Sequence, residues 1–234
     1  MRYLSFILFS FFLIQVAFTQ DLITSGVVMM ELTDVDSDDQ MIASQLEMMK
    51  GMETSYSFSP TQSLVSVSFM GGMVSAKSLT EKKSKDQIML MDMMGQKMMI
   101  ESSMSDRAEL EAEQEKIMSG LDVKYDKSDT KEILGFNCVK AMVGSAEDDQ
   151  RFEMYVTDQL DFDSQSIREL KGIQLEGFPL EYTLYMNKVE MTYTVVEFEK
   201  EVDESVFKLN TEGYKKMTFE EFQEQMKGMG GMGF

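Results

Sequence analysis

Residues 130–143 read TKEILGFNCVKAMV, and this stretch sets the fold class. Ile133 and Leu134 run into Gly135, beyond which Phe136, Cys138, Lys140 and Met142 alternate with Asn137, Val139, Ala141 and Val143. That is the period of two of a β-strand, interrupted once by a glycine that suits a tight turn or a bulge. The strand stops at Gly144 and the acidic stretch SAEDDQ turns the chain. Arg151 to Thr157 then returns with Phe152, Met154 and Val156 on one face. The pattern predicts an antiparallel hairpin.

Upstream, GVVMMELT (26–33) reads as a first strand, and DVDSDD leads into a helix from about Asp39 to Lys50 with Ile42, Leu46 and Met49 as its apolar stripe. Gln62 to Met70 is a one-sided strand, a further strand runs from Met73 to Leu79, and Gln87 to Met94 is apolar on both faces, so it is covered on both. Ser105 to Met118 is helical in composition with a thin apolar stripe, Gly120 ends it, and Leu121 to Tyr125 feeds the hairpin. Downstream, Ser164 caps a short helix containing Ile167 and Leu170, and GFPLEY introduces a last long pair of strands with a bulge or a double-sided burial expected near Val195. Thr218 and Glu221 form a capping box, with Met217 and Phe222 as its hydrophobic staple, for a final helix from Phe219 to about Lys227. Eight to ten strands and three or four helices predict a mainly β (α+β) fold, a largely antiparallel sheet with helices on one side.

The opening residues MRYLSFILFSFFLIQVAFTQ have the short positive start, apolar run and small residues of a cleaved signal peptide, expected over 1–20, with no cysteine near the cut to take a lipid. The remainder is expected to be one domain over 21–225 with a flexible glycine- and methionine-rich tail over 226–234. The expected location is therefore the periplasm or the cell exterior, and the expected form a monomer without a stable membrane anchor. A net charge of −19 repels phosphate backbones, so nucleic acid is not an expected partner. Cys138 is the single cysteine, which forbids an intramolecular disulfide; it is read as a small buried hydrophobe, with cross-linking to another chain as the alternative.

The sequence has neither histidine nor tryptophan, which removes the commonest general base and metal ligand, and the expectation is a non-enzyme with no cofactor. Asp34, Asp36 and Asp38 have the spacing that starts a calcium loop, yet Asp39 stands where that loop needs glycine and Gln45 where it needs glutamate. Methionine is the compositional outlier, at 25 residues. Three readings stand side by side: core filler, the lining of an adaptable apolar cavity, or soft copper(I) ligands, with Met226, Met229 and Met232 the best-spaced set for the last.

The segments LMDMMGQKMMI, KEILGFNCVKAMV, GFPLEYTLYMNKVEMTYTVVEFEKEVDESVF and YKKMTFEEF resemble, in order and spacing, the secreted bacterial family called domain of unknown function 4412. The resemblance covers most of the chain after residue 20. That family looks related to the LolA-like periplasmic lipoprotein carriers, so it implies a curved half-barrel whose concave face holds acyl chains or another lipid-like apolar ligand. On this basis Met89, Met91, Phe152, Met154, Leu184, Met186, Met191 and Tyr193 are the expected cavity residues. Copper(I) binding and an envelope or matrix role through protein contacts are the alternatives.

Overall fold

The computed structural model describes residues 22–118, 121–144, 150–186 and 188–228; the expected signal peptide, most of the SAEDDQ turn, Gly120 and residues 229–234 lie outside them. The chain order is β1 (Gly26–Ser37), α1 (Gln40–Glu47), β2 (Glu53–Phe58), β3 (Gln62–Phe69), β4 (Val74–Glu81), β5 (Gln87–Met93), β6 (Gln96–Ser102) and α2 (Met104–Met118). It continues with β7 (Val123–Ile133), β8 (Phe136–Val143), β9 (Gln150–Thr157), β10 (Phe178–Met186), β11 (Val189–Glu199), β12 (Lys215–Thr218) and α3 (Phe219–Gly228). The strands form a single twelve-stranded sheet in the order β12-β6-β5-β4-β3-β2-β1-β11-β10-β9-β8-β7, antiparallel except for the short parallel β12–β6 pair. The sheet does not close into a barrel. Two meanders, β2 to β6 and β7 to β11, are joined through β1.

The 130–143 stretch behaves as read: Ile133 pairs with Phe136 across a two-residue turn in which Leu134 (φ 50°) and Gly135 (φ 83°) are both left-handed, the geometry of a primed hairpin turn. The bulge expected near Val195 is present, because Met29 faces Glu197 while Met30 faces Val195 and leaves Val196 unpaired. Twelve strands exceed the expected eight to ten. Glu53–Phe58 and Lys215–Thr218 are the additions, and β1 runs on through the acidic Asp34–Ser37. The expected helix near Ser164 is two 3₁₀ turns instead, the first capped by Asp163, whose carboxylate accepts from the Gln165 N–H.

The sheet curls. Tyr56 on β2 and Phe178 on β10 are separated by β1 and β11, about 14 Å on a flat sheet, yet their ring centroids are 6.0 Å apart. The face carrying Val28, Met30 and Tyr56 is therefore the concave one. Residues 158–177, the connection from β9 to β10, fill one end of it: Phe162 packs against Tyr56, Phe58 and Phe178, and Ile167, Leu170 and Ile173 are fully buried. Gly177 closes this connection at φ 116°, where a Cβ would meet the Thr157 carbonyl oxygen at 2.3 Å, so only glycine fits.

α2 leads from β6 to β7, strands at opposite ends of the sheet, and so spans the mouth of the curl. Arg107, buried at its start, fastens it. Its guanidinium donates to the Ser102 carbonyl and hydroxyl and to the Lys85 carbonyl, and pairs with Glu111 at 3.2 Å. Glu111 also takes Lys171 of the filling connection at 3.3 Å, while Met118 packs on the main core. α3 lies over the β6–β12 end, with Phe219 and Phe222 on Met91, Met98, Ile100 and Met217. α1 packs against β1 and buries none of its residues. On the convex face, the passage from β11 to β12 sets Phe207 against Leu64 and Leu79, and adjacent Leu90 and Met91 on β5 are both buried, as its two-sided apolar pattern predicts.

Candidate functional site

Ladder register carries one set of side chains across the concave face. Val67, Ala76, Met91 and Met98 form one row, Val65, Ser78, Met89 and Ile100 the next, and Phe69, Val74 and Met93 flank them. Met98 and Ile100 are covered by α3, and the far wing is covered by the 158–177 connection. Between these covers Val65, Val67, Phe69, Val74, Ala76, Met89 and Met93 stay only half-buried, a strip of adjoining apolar side chains on the inner face.

Of the eight residues expected to line a cavity, Phe152, Met154, Leu184, Met191 and Tyr193 share two adjoining cross-strand rows, while Met89, Met91 and Met186 lie elsewhere. Phe152, Met154 and Leu184 are buried in the main core, where the neighbouring ladders stack Phe152 on Leu184 and Met154 on Tyr182. Met191 and Tyr193 are half-buried on β11, with Tyr193 stacked on Tyr182 at 4.8 Å. Met186, 37% exposed, stands at the end of β10. Met89 and Met91 belong instead to the methionine cluster under α3. Of the eight, Met89 alone lies in the strip on the β2–β6 side. Val65, Val67 and Phe69, legible as the apolar face of the one-sided strand but not among the expected cavity residues, complete it with Val74; their alternation with Ser66, Ser68 and Ser75 marks β3 and β4 as amphipathic.

Of two concavities, the first adjoins this face and the second opens beside the face of β6 that carries Glu101. One, of about 360 Å³, lies between the β3–β4 pair and the 158–177 connection and is lined by Ser63, Thr80, Lys82, Lys85, Leu160, Asp161, Phe162, Asp163, Ser164, Ser166, Leu175 and Gly177. The other, of about 610 Å³, sits at the start of α3, where Met217 and Phe219 are ringed by Glu101, Asp106, Lys216, Glu220 and Glu221, a mostly charged surround.

The remaining chemistry is structural. Tyr56 and Tyr182 are buried, which pushes both phenols far up, reinforced by the Glu169 carboxylate; Tyr182 donates to Glu169 at 3.3 Å. Cys138 is fully buried, its thiol pushed up to about 11 by burial and by the Glu181 carboxylate, and it donates to the Phe136 carbonyl. A thiol so placed is neither nucleophile nor cross-linker in the folded chain. The Asp34–Asp39 segment forms a strand end and a helix cap, with Asp39 accepting from Met41 at 2.8 Å. Among the described residues no group of three or more His, Cys, Asp or Glu is placed to hold a metal, and no helix is long and apolar enough to cross a membrane. Of the tail methionines, Met226 falls in α3 with its side chain outside the described set, and Met229 and Met232 lie beyond it.

No protein-family model and no curated protein sequence matches the chain, so the resemblance to domain of unknown function 4412 rests on the quoted motifs. Solved structures similar to it include an uncharacterized conserved protein from Thermus thermophilus (10% identity, TM-score 0.36, 84% of this chain and 91% of that one). They also include lipoprotein LppX of Mycobacterium tuberculosis (8%, 0.35, 78% and 89%) and LprF of Mycobacterium bovis (11%, 0.28, 79% and 89%). The chain's fold resembles that of these proteins.

Proposed function

We propose that this is an exported, non-catalytic protein that binds a lipid-like apolar ligand along the concave face of its curled sheet. The observation that carries the reading is the half-buried strip of Val65, Val67, Phe69, Val74, Met89 and Met93, an apolar surface on the inside of a curl and not on its outside. Such a surface gains about 25 cal/mol for each Å² it hides, and a flexible alkyl chain is the simplest occupant that fits a narrow strip between two covers. Unbranched methionines at its edge adapt to chains of different shape. With no histidine in the chain and its cysteine sealed, binding rather than chemistry is what this face offers.

Native mass spectrometry of protein taken from its own envelope fraction tests this, with Val67→Asp and Met89→Asp as variants. Both positions are half-buried, so a carboxylate there blocks an apolar ligand at modest cost to folding, unlike the fully buried Met154 or Leu184. A bound species of lipid mass, present in the parent and missing from the folded variants, is the expected result. Folded variants that hold that species at parental occupancy refute the assignment.

A further inference from the structure

We propose that the 360 Å³ concavity receives the zwitterionic head group of a phospholipid, its phosphate toward Lys82 and Lys85 and its ammonium toward Asp161 and Asp163. This deepens the reading of the concave face and rests on it. Ser63 and Thr80, cross-strand partners on β3 and β4, lie two residues along from Val65 and Ser78, so the concavity opens at one end of the apolar strip. An amphiphile with its chain on the strip reaches the concavity with its polar end.

The hydroxyls of Ser63 (8% exposed) and Ser164 (5%) both line this space and have no hydrogen-bond partner among the described residues. Buried hydroxyls are nearly always satisfied, and two orphans facing one concavity mark a place where polar atoms of something else sit. The charges around them are balanced and loosely held. Lys82 Nζ is 3.8 Å from Asp161 Oδ2 and donates to the Asp161 carbonyl at 3.4 Å, and Lys85 Nζ is 4.0 Å from Asp163 Oδ2, both ion pairs at the outer limit. Each ammonium keeps unused donors and each carboxylate unused lone pairs. Two cations alone would select an anion; two cations with two carboxylates set against an added negative charge select a group that carries both signs.

The test titrates the full chain with phosphatidylethanolamine and with phosphatidylglycerol of identical acyl chains, and separately with free phosphoethanolamine, read by native mass spectrometry. Phosphatidylethanolamine is expected to bind about tenfold tighter than phosphatidylglycerol, the worth of one charge-assisted hydrogen bond. The Asp161→Asn/Asp163→Asn variant is expected to bind both equally, whereas Lys82→Ala/Lys85→Ala, which removes the partners of the phosphate the two lipids share, is expected to weaken both. Ser63→Ala/Ser164→Ala is expected to weaken phosphatidylethanolamine binding with an unchanged or higher melting temperature, because an unpartnered hydroxyl gives the fold nothing. Equal affinity for the two lipids, or a preference that survives the aspartate variant, overturns the head-group assignment and leaves the strip standing. Binding of neither lipid overturns the strip itself. Free phosphoethanolamine binding as tightly as the lipid overturns the link between the two, showing a site for a soluble zwitterion.

Discussion

The two ends of the sheet are packed by different means. In the main core, twenty-two buried residues include a knot of rings in which Phe162 meets Tyr56, Phe58 and Phe178 at 5.7, 5.2 and 5.1 Å between centroids. At the other end four buried residues, Met91, Met98, Ile100 and Met217, are roofed by Phe219 and Phe222 of α3. Ring pairs prefer a few definite geometries, edge to face for Phe162 on Tyr56 and Phe178 and stacked for Tyr182 on Tyr193, and thioether chains accept many. One end fixes the curl, the other adapts, and the half-buried strip lies between them.

The sharpest way to break that contrast is Phe162→Ala. Phe162 anchors the connection that fills the concave face, and emptying its place is expected to cost about 3–5 kcal/mol in chemical denaturation. A loss under about 1 kcal/mol would show that the connection is not what holds the curl.

Cys138 tests the same core through pH. Its thiol is raised from 9.0 to about 11, so between those values the unfolded chain gives up a proton that the folded chain keeps. The folded state then binds more protons, and stability falls as pH rises through that window, by about 2–3 kcal/mol at pH 11. Lysines and tyrosines titrate there as well, so the measurement is the difference between the parent and Cys138→Ala denaturation curves. The parent is expected to lose stability faster with pH; parallel curves would mean the thiol is not sealed.

In the methionine cluster, Met98→Ala is expected to cost about 2 kcal/mol, at the low end for a buried methionine, and Met98→Leu less than about 1.5. Met98 is 6% exposed and its sulfur accepts from Gln225 Nε2 at 3.9 Å, so neighbours have room to relax around it. A cost equal to that of Phe162→Ala would erase the distinction between the two ends.

Much of this architecture is legible in sequence because local rules agree with the final packing. The Leu134–Gly135 turn, the bulge at Val196, the two-sided burial of β5 and the burial of Cys138 all follow from periodicity and residue type. The curl follows from no local pattern and is expected only from the family resemblance, since it depends on Tyr56 meeting Phe178 across a sequence separation that periodicity does not encode. That gap explains why most of the expected cavity residues lie outside the open strip. Alternation marks Phe152, Met154 and Leu184 as facing inward, but inward positions divide into those under the 158–177 connection and those left open, and only the tertiary cover decides which. β12 escapes detection because four residues paired in parallel carry too little periodicity.

The smallest effect belongs to the start of α3. Thr218 and Glu221 form the box their spacing predicts: the Glu221 carboxylate accepts from the Thr218 N–H at 2.8 Å, and the Thr218 hydroxyl accepts from the Glu221 N–H at 3.1 Å. Met217 and Phe222 meet in the methionine cluster as the staple. Thr218 also ends β12, so one residue couples the last strand to the helix that roofs the cluster. Thr218→Ala is expected to cost about 1 kcal/mol, by orphaning one amide and loosening the other bond. Because the roof lies over Met98 and not over Phe162, hydrogen exchange should quicken in α3 and β12 while β8 to β10 keep their protection. Uniform acceleration across the sheet would show that the two ends unfold as one unit and that the adaptable end has no independence.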